Sequence, residues 1–113
     1  MCFFVDELCK ILTEASLFRN ELRENYRDVT PFLNELDRLI EEAGSLYKTA
    51  RKFDHLYEAF GSSVPPYEYA ELRHQIQFMG SNVQFLKQQF RFELECKFFF
   101  RLLRKFHWNS LIH

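Results

Sequence analysis

The chain has 113 residues, 47% of them hydrophobic and 27% charged, with a net charge of −1. Such a length and balance suit one domain with one core, and they exclude a disordered polar chain. The near-neutral total excludes the global basic field that would recommend nucleic acid as a partner.

The first segment, opening MCFFVDELCK, lacks a basic n-region and a continuous apolar core, so no signal peptide is expected. No apolar run approaches the ~18 residues that a membrane-spanning helix requires. Helical periodicity starts at once. Met1, Val5, Leu8, Leu12, Ala15, Leu22 and Tyr26 advance in steps of three, four or seven, and Phe4, Ile11 and Phe18 add a second row. The spacing predicts a helix over 3–27. Its Cys2 and Cys9 lie about 10 Å apart on such a helix, too far for a disulfide between them. With Cys96 they form an odd set without framework spacing, which points to a reducing, cytoplasmic setting and to cysteines used as small buried hydrophobes.

Asp28-Val29-Thr30-Pro31 reads as a break, because proline disfavours helix in the residue before it and suits the first helical position. Thr30 is the expected N-cap of the next helix. That helix is the cleanest: Phe32, Leu36, Leu39, Ala43, Leu46, Ala50, Phe53, Tyr57 and Phe60 step by four and three, flanked by Leu33, Ile40 and Tyr47. Gly44 weakens it by about 1 kcal/mol relative to alanine without stopping it. It ends at Phe60-Gly61, where glycine can take a left-handed conformation at the C-cap. The loop 61–66, GSSVPP, then joins antiparallel helices.

From Tyr67 two apolar stripes run along one helix. Leu72, Ile76, Met79, Val83, Leu86, Phe90 and Leu94 make the first. Phe78, Phe85, Phe92, Phe99 and Phe106, each seven residues after the last, make the second, with Cys96 and Leu103 beside them. At 100° per residue the stripes lie on roughly opposite faces. Gly80 leaves two courses open. Ser81-Asn82-Val83-Gln84 fits a capping box that would start a fourth helix, whereas Ile76, Met79 and Val83 stay in phase across the glycine and favour one helix over 66–107. The fold class is therefore all-α: an antiparallel bundle of three long helices, four if the last breaks at Gly80, in a single domain over 1–113.

Chemistry-bearing constellations are sparse. Three isolated glycines build no phosphate loop. His55, His74, His107 and His113 have no His or Cys at metal-ligand spacing. Glu71 and His74 form one Glu-x-x-His where a di-iron bundle needs two, and the charged face of Asp37, Arg38, Glu41 and Glu42 reads as solvated. Neither Cys2 nor Cys9 has a base held by a third group. The expectation is no enzyme, no cofactor and no metal.

The Phe-rich end admits three readings. In the core reading Phe92, Cys96, Phe99, Leu103 and Phe106 pack against the first two helices while Lys97, Arg101, Arg104 and Lys105 face water. In the partner reading the second stripe exceeds what the chain can cover, and Phe78, Phe85, Phe92, Phe99, Leu103 and Phe106 form a protein interface, most simply with a second copy. In the membrane reading Phe98, Phe99, Phe100, Phe106 and Trp108 join the basic face of Lys97, Arg101, Arg104 and Lys105 as an interfacial helix on anionic lipid. The function expected is a non-enzymatic, self-associating interaction module, a homodimer of adaptor type by fold analogy alone. Docking on a membrane surface is the alternative, and nucleic acid is disfavoured.

Overall fold

The computed structural model describes residues 3–61 and 65–112, with side chains through His107. Met1, Cys2, residues 62–64 of the loop, the Trp108 side chain and His113 lie outside the described residues. The chain is all-α: α1 spans Phe4–Asn25, α2 Thr30–Phe60 and α3 Pro66–Ile112. Each helix packs against both others.

Periodicity explains the core. From α1, Phe4, Leu8, Ala15, Phe18 and Leu22 are buried, with Ile11 and Leu12 packed partly against them. From α2, Phe32, Leu36, Leu39, Ala43, Ala50 and Phe53 are buried. From α3 come Leu72, Ile76, Met79, Val83, Leu86 and Phe90. Each set advances in steps of three, four or seven residues, so one continuous stripe per helix faces the bundle axis. Phe60 departs from its row: at the last turn of α2 it is exposed.

Contacts fix the order of the helices as up, down, up. Residues 4, 5 and 19 of α1 meet Asp54 and Asp37 of α2 in reverse order. Phe4 meets Tyr69 and Phe18 meets Phe90, so α1 and α3 run in the same direction.

The connection between α1 and α2 is tighter than the proline alone predicts. Helix α1 stops at Asn25, and Asp28 takes a positive φ of 59°, a conformation that aspartate tolerates better than most side chains. Thr30 is not the N-cap. That place falls to Val29, whose carbonyl accepts from the Leu33 N–H, and Thr30 is already helical with Pro31 in the first turn. At the other end of α2, Gly61 has φ 57°, and its N–H closes on the Tyr57 carbonyl.

The start of α1 is capped from a distance. Both Asp54 carboxylate oxygens accept from backbone N–H groups, one from Phe4 at 2.9 Å and one from Val5 at 3.0 Å. Two otherwise unpaired donors are satisfied by a negative charge at the positive end of the helix. Asp54→Ala is expected to destabilise the fold by about 1–2 kcal/mol, and Asp54→Asn, with one oxygen, by about half that; urea denaturation followed by circular dichroism measures both.

Helix α3 is unbroken through Gly80. The capping-box reading of Ser81 is overturned because Met79 and Val83 are both buried on one stripe, and an ended helix would forfeit that register. A Cβ built on Gly80 would lie 3.6 Å from Ile11 Cδ1, an ordinary contact, whereas at exposed Gly44 it would meet nothing within 4 Å. Gly44→Ala is therefore expected to stabilise the protein by up to about 1 kcal/mol, read as a higher melting temperature.

Candidate interaction surface

Helix α3 has 47 residues, against 22 in α1 and 31 in α2. At 1.5 Å per residue it is about 70 Å long, and it sets the 77 Å long axis of the molecule. The bundle ends near Phe90. That ring is held edge-on by Phe18, Tyr26 and Phe32, with centroids 5.9, 4.9 and 5.5 Å away. Leu94 is half-buried, and from Lys97 to His107 every residue is exposed.

The core reading of the C-terminal Phe row is thereby corrected. Phe92, Phe99, Leu103 and Phe106 are 48–76% exposed and Cys96 is only partly buried. Neither α1 nor α2 supplies a core for them, because both helices meet their connection, 26–29, at the level of Phe90. Phe78 and Phe85 lie beside the bundle rather than beyond it, yet they are more than 60% exposed, since the opposite stripe of the same helix is the one the core takes. Cys9 is likewise exposed, contrary to a buried role.

All six residues expected at an interface thus lie on the outside of one continuous helix. At roughly 200 Å² per ring and these exposures, the five phenylalanines present on the order of 600 Å² of apolar surface, at the top of the range for a monomer.

Two features of this face were not anticipated from the Phe spacing. The first is its lack of charge. From Gln75 to Leu86 no residue is ionic, and the shallow groove beside Phe85 is lined by Gln77, Ser81, Asn82, Gln84 and Gln88. Interface centres are depleted of charge because desolvating an ion is costly, whereas amides can pair across the contact. The signal was present in the sequence as a twelve-residue run without Asp, Glu, Lys or Arg. The second is Leu102, which widens the apolar arc beyond the bundle beside the Phe98 and Phe100 of the membrane reading.

The edges of the face carry fixed polar contacts. Gln84 Nε2 donates to Glu14 Oε2 at 2.8 Å, tying α3 to α1. Beside α2, Glu35 and Arg38, themselves paired at 2.8 Å, border the groove that holds Phe78 and Phe85. Lys97, Arg101, Arg104 and Lys105 are exposed. Lys97, Arg101 and Arg104 continue the steps of the Leu72–Leu94 stripe, so the azimuth that faces the core inside the bundle turns basic where α3 leaves it.

Among the described residues no three His, Cys, Asp or Glu side chains gather as metal ligands would, and no helix is long and apolar enough to cross a membrane. Glu71 and His74 are both exposed, on the first turns of α3. Comparison with protein-family models, curated proteins and solved structures returns no match. Fold and surface define a three-helix bundle whose third helix is extended and carries an apolar, largely uncharged outer face.

Proposed function

We propose that the protein is a non-enzymatic helical interaction module that self-associates through the outer face of α3, with Phe78, Phe85, Phe92, Phe99, Leu103 and Phe106 at the contact. The observation that carries this reading is the exposure of the whole heptad-spaced row opposite a stripe already consumed by the core. Burying such rings from water is the largest favourable term available to this surface, and a second copy offers an equally apolar, equally uncharged face.

Multi-angle light scattering across micromolar concentrations tests it. A mass moving from 13.8 kDa toward twice that value with concentration supports self-association; a monomer at every concentration defeats it.

Docking on anionic lipid is the second reading, favoured by one observation. Beyond the bundle, Lys97, Arg101, Arg104 and Lys105 gather on one side of α3, with Phe98, Phe99, Leu102 and Phe106 around the rest, the arrangement of an interfacial helix. Flotation with anionic liposomes at low salt, where attraction is least screened, decides it. A protein left unbound there has no lipid role of this kind.

A further inference from the structure

We propose that α3 pairs with the α3 of a second copy in antiparallel order, the two-fold axis passing near Leu94, so that the projecting end of each helix lies along the outer face of the other bundle. The inference rests on the self-association proposed above and adds its geometry.

Side-chain size gives the first argument. Phe78, Phe85, Phe92 and Phe99 recur every seven residues, and four residues after each stands Asn82, Gln89, Cys96 or Leu103. These are the two kinds of seam position in a heptad repeat. In an antiparallel pair each layer combines one of each kind. With the axis at Leu94, Phe92 faces Cys96 of the second copy, Phe99 faces Gln89, and Phe85 faces Leu103. Every layer then joins a large ring to a smaller side chain, the alternation that fills space without strain. A parallel pair would stack ring on ring in half the layers, overfilling them, and set amide on amide in others.

Charge gives the second. From Leu94 onward the chain has one acidic and four basic residues, a formal charge of +3, which leaves −4 on residues 1–93 of a chain whose net charge is −1. Antiparallel order carries the two basic ends to opposite ends of the pair. Parallel order would set two basic ends side by side. Near the axis Glu93 and Glu95 of the two copies approach, and each has a base four residues away on its own helix, Lys97 and Arg91 respectively, to offset the repulsion.

Length gives the third. The bundle ends near Phe90, with Leu94 half-buried at its rim, so the stretch from Glu95 to Phe106 projects past both other helices of its own chain. Reflected through the axis it spans Asn82 to Glu93 of the second copy, where Phe85 and Phe92 stand exposed on a lone bundle.

A single spin label tests the order. Cys2 and Cys9 are changed to serine, Cys96 to alanine, and exposed Gln77→Cys is labelled, with light scattering on the labelled protein alongside. Antiparallel pairing about Leu94 separates the two labels by 34 residues along the seam, about 50 Å in pulsed dipolar spectroscopy. A dimer with labels closer than about 20 Å, as two adjacent parallel helices would give, overturns the antiparallel order and leaves self-association standing. A 13.8 kDa monomer of the unsubstituted chain in the same scattering experiment removes both.

Discussion

Phe92→Asp is expected to leave the bundle folded and to abolish its self-association. The ring stands at the middle of the exposed row and is 65% exposed in the single chain, so a carboxylate there meets water in the monomer and disturbs no core contact. In the assembled state the same carboxylate would enter an apolar seam. Losing one buried ring costs about 2 kcal/mol, and two-fold symmetry doubles that to about 4 kcal/mol, roughly a thousandfold in Kd. Removing a carboxylate from water weakens assembly further. Light scattering should report a monomer at concentrations where the unsubstituted chain is assembled, while far-ultraviolet circular dichroism and the melting temperature of the dilute protein stay as they were. Loss of helicity together with assembly would place Phe92 in the fold rather than at a contact and would sink the interaction reading.

How much of this was legible before the structure depends on which interactions are local. The stripe from Phe32 to Phe53 and the stripe from Leu72 to Phe90 name their buried residues directly, because a helix's period makes one face from spacing alone. Which of the two α3 stripes the bundle takes was not readable from the Phe spacing. The deciding sign lies further along the helix. The Leu72 stripe runs out at Leu94 and its azimuth continues as Lys97, Arg101 and Arg104, residues that no apolar core accepts unpaired. The Phe row has no such stop. Continuity at Gly80 turned on the same kind of evidence, the burial of Met79 and Val83 on either side outweighing a local capping pattern. The bond from Asp54 to the start of α1 was beyond reach, since it joins residues about 50 apart and no periodicity encodes it. Thr30 was misplaced as a cap because the backbone turn through Asp28 sets the helix one residue early. Helix ends are where competing local preferences are most nearly balanced.

Two residues before Phe92, the opposite substitution outcome is expected. Phe90 is 9% exposed and is ringed by Phe18, Tyr26 and Phe32 in edge-on contacts that join all three segments at the open end of the bundle. Phe90→Ala removes the ring that closes the core there, and the surrounding aromatics cannot all collapse into the space. A loss of about 3–5 kcal/mol is expected, a large part of the 5–15 kcal/mol typical of a whole domain. At roughly 4 °C per kcal/mol the melting temperature should fall by about 12–20 °C. Phe92→Ala, measured beside it in dilute solution, should change stability by less than about 0.5 kcal/mol. The same residue type, two positions apart on one helix, thus separates two roles. Phe90 belongs to the stripe that assembles the chain and Phe92 to the stripe that the chain presents outward. Equal destabilisation by the two substitutions would mean that both faces of α3 are covered within a single molecule, and the outward face would then have no partner to recruit.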